Sequence, residues 1–164
     1  STPEVSTVGP SYVEGLRARI GTECIFVPGV RAIIVDEEDR VLLQRRSDFD
    51  CWGLPAGGVE LNETVEQALC REVAEETGLT VEAMEPMALH SGPSQRFRYP
   101  NGDEVQGFAI SFIVRVWTGR PKADGVEGIE LRFFPIDALP EAIVPIHAET
   151  LRIFTNYRSG FIVC

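Results

Sequence analysis

Several short stretches of the chain are apolar in runs or alternate with a period near two, and three others switch to a helical period. Ile25-Phe26-Val27 and Val30-Arg31-Ala32-Ile33-Ile34-Val35 read as strands interrupted by Pro28-Gly29. The acidic turn Asp36-Glu37-Glu38-Asp39 leads to a return strand at residues 40–46, which predicts a hairpin entering a central sheet. Val81, Met84, Met87 and Leu89 mark a strand with an irregular start. Residues 95–99 alternate, Pro100-Asn101-Gly102-Asp103 is a turn, and Phe108, Ile110, Phe112, Val114 and Val116 punctuate a long strand up to Trp117. A further strand is expected at residues 129–134.

The helical stretches are residues 11–20, about 64–77, and 146–157. The first has Ser11 as cap, Gly21 as stop, and a candidate buried stripe of Val13, Leu16 and Ile20. Residues 1–9 read as a loose tail. Strands, helix, strands and a closing helix predict an α/β chain forming one domain over residues 1–164, layered around a mixed sheet.

The middle helix carries the chemistry. Thr64 and Gln67 form a capping box, and Gly78 is a natural residue to follow the helix end. Glu72, Glu75 and Glu76 stand at i, i+3 and i+4, one turn apart on one side of the helix. Val65, Ala68 and Leu69 occupy the same angular sector one to two turns earlier. An apolar sector faces the core, so the acids aim toward protein rather than open water. Carboxylates crowded there repel each other and lose hydration, a conflict that a divalent cation resolves. All-oxygen donors suit Mg²⁺ or Mn²⁺. The chain has only two histidines, His90 and His147, and no clustered cysteines, so the pattern does not suggest zinc. The stretch Trp52-Gly53-Leu54-Pro55-Ala56-Gly57-Gly58 before the helix supplies a glycine pair that permits close backbone approach.

Gly57, five residues, Glu63, seven residues, Arg71-Glu72, an apolar Val73, one residue, Glu75-Glu76, one residue, Gly78 and an apolar Leu79 together resemble a complete Nudix box. At about 6% usage per fixed residue, seven such matches at a given start have odds below about 10⁻⁸. The resemblance implies a Nudix-type α/β/α sandwich with a mixed central sheet, and a Mg²⁺-dependent hydrolase of nucleoside diphosphate-linked substrates, with Mn²⁺ as a substitute. It implies that Glu75 and Glu76 are the principal metal ligands. Glu72 either completes that set or acts as general base, and the Gly57 carbonyl adds a ligand. Arg71 and Glu63 flank the acids as supports. Nudix proteins also draw a further acid from a loop after the sheet, for which Glu127 is the first candidate and Glu130 the second. The substrates implied are nucleoside triphosphates, oxidised ones included. The alternatives are ADP-ribose or a nucleotide sugar, and, in another class, a nucleotide-binding module without turnover.

Charge narrows the partners. A net charge of −10 argues against non-specific binding to nucleic acid or to anionic membranes. No apolar run is long enough to span a bilayer, and Ser1-Thr2-Pro3-Glu4 lacks the basic and apolar pattern of a secretory signal. Cys24, Cys51, Cys70 and Cys164 show no paired spacing and read as free thiols, and the expected location is cytoplasmic. The expected partner is a small nucleotide, and a homodimer stays open. Arg45, Arg46, Arg96 and Arg98 are candidates for contacts to substrate phosphate, with Arg45 and Arg46 on alternate faces of one strand. Trp52 and His147 are read as packing residues.

Overall fold

Strand β1 (Ile25–Ile34) runs through the middle of the molecule and organises both sides of the core. The computed structural model describes residues 9–48 and 50–164, so the expected N-terminal tail lies outside the described residues except for Gly9. Before β1 comes α1 (Tyr12–Ile20), and after it β2 (Arg40–Arg46), β3 (Trp52–Gly53), β4 (Ala56–Gly58), α2 (Val65–Thr77) and β5 (Thr80–His90). The chain continues through β6 (Arg96–Arg98), β7 (Glu104–Thr118), β8 (Gly128–Pro135), α3 (Pro145–Asn156) and β9 (Ile162–Val163).

The large sheet has the order β4-β1-β7-β5-β9, with β6 also pairing β7. Parallel β1·β7 and β5·β9 ladders combine with antiparallel ones, so the sheet is mixed. A smaller sheet has the order β3-β2-β8. Period-two alternation sends Val30, Ala32 and Ile34 of β1 toward α2, where they meet Ala68, Leu69 and Val73. The intervening Ile33, with Val35 just beyond the strand, joins Leu151 of α3 on the opposite face. Leu42 of β2 enters the first cluster, while Val41 and Leu43 enter the second. Both sides are therefore apolar because both are covered by a helix, as expected for a sandwich.

Three expectations change. The run through Pro28-Gly29 is one continuous strand. Pro28 lies just past the last β4 pair, Gly29 with Gly58, so its missing N–H falls where that ladder ends, and its carbonyl still accepts from Val59 N–H at 2.9 Å. The expected β1–β2 hairpin is reduced to a single bridge, Val35 with Val41, after which the two strands part into separate sheets. Helix α1 forms with its Ser11–Glu14 capping box but has no buried residue, and Ile20 stays 38% exposed. It is held by polar contacts instead: Tyr12 N–H donates to Glu60 Oε2 at 2.9 Å, and Arg17 donates to the carbonyls of Gly21, Glu23 and Glu104. Strand β9 was not foreseen, since two residues carry no periodicity.

The two-sided core sets a stability expectation. Replacing Phe112, 2% exposed, by alanine is expected to cost about 3–5 kcal/mol in urea unfolding. Phe26→Ala, at a residue 69% exposed in the same sheet, is expected to stay within about 0.5 kcal/mol of the parent.

Candidate active site

The strand-loop-helix unit β4–α2 places the acids. Thr64 caps α2 by accepting from Gln67 N–H at 3.1 Å, and the Gln67 side chain returns the bond to Thr64 N–H at 2.9 Å. Gly78 closes the helix in a left-handed conformation, φ 74°. Arg71 then ties helix to loop. Its Nε and Nη2 donate to Glu63 at 2.7 and 2.9 Å, and Nη2 also reaches the Gly58 carbonyl at 3.0 Å. Its Nη1 donates to Glu72 Oε1 at 2.8 Å and to Glu75 Oε2 at 3.3 Å. Hydrogen bonding to Glu63, helped by Glu72, raises the Arg71 pKa and keeps it ionised.

The three helix acids meet three fates. Glu76 is 2% exposed, and its Oε2 accepts from Ala56 N–H at 2.9 Å and from Gln44 Nε2 at 3.2 Å. Glu72 is half-buried beside it. Glu75 turns outward, its side chain 60% exposed and shared with Arg71. The structure brings up Glu127, from the loop before β8: ligand oxygens of Glu72, Glu76 and Glu127 all lie within 4.8 Å of one another. Glu130, the second candidate, instead pairs with Arg132 on β8.

Burial and crowding show in the titration of this group. Burial pushes the Glu76 carboxyl up to about 10, reinforced by its hydrogen bond to Glu127 and by the charges of Glu72 and Glu127, against the opposing Ala56 N–H. Burial likewise raises Glu72 to about 7, with Glu75 and Glu127 adding to the rise and Arg71 opposing it. Gln44 Oε1, buried beside the acids, has no hydrogen-bond partner among the described residues. Three crowded carboxylates with an orphaned oxygen at their side are a donor set suited to a hard divalent cation.

Gly57 explains its own identity. A Cβ there would overlap the Glu72 carboxylate. The glycine lets the acid lie against the β4 backbone, so the glycine and the acid function as a pair.

These residues open onto a cleft of about 950 Å³. Its walls include Glu72, Glu75 and Glu127, the residues 9–17 flank of α1, and Val27, Gly29 and Arg31 of β1. Of the arginine candidates, Arg46 lines the cleft and is bound to Asp48 at 2.8 and 2.7 Å. Arg45 points away to Asp50 at 3.2 Å. Arg96 and Arg98 both pair with Glu104 and are not among the cleft-lining residues. His147 is buried, its Nδ1 accepting from Leu54 N–H at 3.0 Å, and it too lines the cleft. Trp52 packs edge-on against Phe134, ring centroids 5.0 Å apart. Sequence reasoning passed over Gln44 and gave Arg31 no definite place. Their shared signal is a polar residue at an apolar position: Val41-Leu42-Leu43-Gln44, and Val30-Arg31-Ala32-Ile33. All four cysteines are free.

Residues 25–154 match the NUDIX domain, and the chain belongs to the Nudix family of phosphoanhydride hydrolases. It is 32% identical over 130 residues to an ADP-ribose pyrophosphatase of Methanocaldococcus jannaschii, a match covering 77% of this chain and 72% of that protein. It is 34% identical over 118 residues to an RNA pyrophosphohydrolase of Pseudomonas fluorescens, covering 61% and 74% respectively. The crystal structure of a MutT NUDIX hydrolase from Burkholderia pseudomallei superposes with a TM-score of 0.67 at 28% identity, covering 78% of this chain and 97% of that one. Among the described residues no helix is long and apolar enough to cross a membrane.

Two outcomes follow from the geometry. Gly57→Ala should fold near normally, because the displaced group is the flexible end of Glu72, but should weaken Mg²⁺ or Mn²⁺ affinity by about 10-fold or more in calorimetry. The second concerns pH. Glu72 and Glu76 have folded pKa values above the ordinary carboxylate value of about 4.5, so the folded protein holds protons that the unfolded chain releases. Their contribution to stability is complete below about 4.5 and is lost as pH rises through the folded values near 7 and 10. The metal-free protein should therefore melt at lower temperature at roughly pH 9 than at pH 7, and saturating Mg²⁺ should remove most of that difference.

Proposed function

We propose that Glu72, Glu76 and Glu127 hold a divalent cation, Mg²⁺ with Mn²⁺ as a substitute, and that the chain hydrolyses the phosphoanhydride of a nucleoside diphosphate-linked substrate bound in the adjoining cleft. The observation that carries this is the convergence of three carboxylates within 4.8 Å, two of them driven toward protonation by burial and by neighbouring carboxylates. When bound, the cation supplies charge neutralisation at the phosphoryl oxygens and acidifies the attacking water.

The chain's own residues do the rest. Gln44 and Ala56 N–H fix Glu76 through one oxygen. Arg71 holds Glu72 Oε1, which leaves Oε2 either to complete the cation's ligand set or to take up a proton from water at the cleft surface. Glu75, at the cleft wall and shared with Arg71, is a further acid of the set, and the Gly57 carbonyl is a further donor beside Glu72. Arg46, already oriented by Asp48, is the arginine of the original candidates best placed to meet substrate phosphate. For substrate, nucleoside triphosphates and related polyphosphates are the first reading. The likeness to the M. jannaschii ADP-ribose pyrophosphatase supports ADP-ribose as the second.

Product analysis with Mg²⁺ across nucleoside triphosphates, 8-oxo-dGTP, ADP-ribose and nucleotide sugars tests the reading. The wild type should release a nucleoside monophosphate or diphosphate from at least one of them, and Glu72→Gln and Glu76→Gln should each lower kcat/KM by about 10²- to 10⁴-fold. Binding of nucleotide with no turnover in Mg²⁺ or Mn²⁺ would point instead to a nucleotide-binding module.

A further inference from the structure

Arg31 is the unusual residue of β1. Its neighbours in the strand, Val30, Ala32, Ile33 and Ile34, are buried and apolar, and Arg31 itself is only 3% exposed. Its side chain folds over the face of the sheet that carries Val27, Gly29, Gly107 and Ala109, all lining the same cleft as the acids. Nη1 donates to Thr150 Oγ1 at 3.0 Å and to the Ile146 carbonyl at 3.5 Å, and Nη2 donates to Gln95 Oε1 at 2.6 Å. All three acceptors are neutral. Among the described residues no carboxylate comes within ion-pair distance, and the nearest compensation is indirect, through the Gln95 amide to Glu149 at 3.4 Å. Burial accordingly pulls the Arg31 pKa down to about 10, with Glu149 and Cys164 opposing, so the group is still a cation at neutral pH.

A guanidinium has five N–H donors, and three are used here. Next to it on the same wall stands His147. Burial, with Arg31 and Arg46 nearby, holds its pKa far below the usual range, so the ring is neutral. Its Nδ1 accepts from Leu54 N–H, which puts the single ring proton on Nε2, and that donor has no acceptor among the described residues. Arg46 passes the same corner, since a Cβ at Gly53 would meet both His147 Nδ1 and Arg46 Cδ. A buried, incompletely neutralised cation and a spare imidazole donor thus line the same cleft as the acids.

Resting on the pyrophosphohydrolase reading above, we propose that Arg31 and His147, with Arg46, form a second anion subsite that takes a phosphate or carboxylate of the substrate other than the phosphoanhydride held at the acid cluster. The chain would then favour substrates carrying such an extra anionic group. A phosphate at the end of a triphosphate and an acid on the group linked to the diphosphate share this chemistry. Neutral protein acceptors orient the guanidinium, and the ligand supplies the missing charge.

Paired substrates test this with Mg²⁺ present. UDP-glucuronate against UDP-glucose varies only a carboxylate, and ATP against ADP varies only a terminal phosphate. The wild type should favour the more anionic member of at least one pair by about 10- to 100-fold in kcat/KM, and the pair that responds identifies the source. Arg31→Lys and Arg31→Met should collapse that ratio, Met further than Lys, with circular dichroism and melting confirming the fold. A second measurement does not need turnover. In EDTA, where the acids repel anions, ³¹P line broadening of inorganic phosphate should report weak binding that Arg31→Met removes. Equal rates within both pairs for an active wild type, or ratios untouched by the Arg31 variants, would overturn the subsite. Should the wild type hydrolyse nothing, the pyrophosphohydrolase reading fails by itself. Phosphate binding in EDTA then supports the subsite if it depends on Arg31, and its absence overturns it.

Discussion

Repulsion among carboxylates in a space too closed to hydrate them is the constraint on which the site depends. Glu76 is buried by the sandwich itself, because α2 must lay Ala68, Leu69 and Val73 on the sheet and Glu76 follows on the same face. Glu72 and Glu127 are then brought against it. Charge packed this way destabilises the metal-free fold as pH rises, and the same charge suits the site to a hard cation. Much of the surrounding detail manages that stress. Ala56 N–H and Gln44 fix Glu76, Arg71 steadies Glu72, and Glu63 steadies Arg71.

The Nudix box is therefore a set of contacts as much as a sequence pattern. Gly57 is small because the Glu72 carboxylate lies where its Cβ would be. Glu63 and Arg71, eight residues apart, meet because the loop after β4 folds back onto the first turns of α2. Glu75 sits outside the trio and shares Arg71 with Glu63 and Glu72, which couples the exposed acid to the buried group through one guanidinium.

The cleft is lined by both signs of charge. Glu72, Glu75 and Glu127 share its walls with Arg31 and Arg46, and Arg46 pairs across the small sheet with Gly128, the residue after Glu127. Small residues of β1 and β7, namely Gly29, Gly107 and Ala109, pave the floor between the strands' edges. Helix α1 forms a further wall without burying an apolar residue, tied by Glu60 and by backbone carbonyls that accept from Arg17.

The sequence by itself determined the local and periodic features. Helix α2 and both its ends, the return strand β2, the β6–β7 turn and the box acids were legible because caps, turns and side-chain periods are encoded within a few residues. Tertiary structure decided what depends on distant segments meeting. It parted β1 from β2, left α1 without a buried stripe, and brought Glu127 from a distant loop up to Glu72 and Glu76. It separated Arg46, which enters the cleft, from Arg45, Arg96 and Arg98, which pair elsewhere. It also turned Arg31 and Gln44, two polar residues in apolar runs, into parts of the site. A one-dimensional pattern says which face a side chain takes, but only the packing of the two sheets and two helices says what lies across from it.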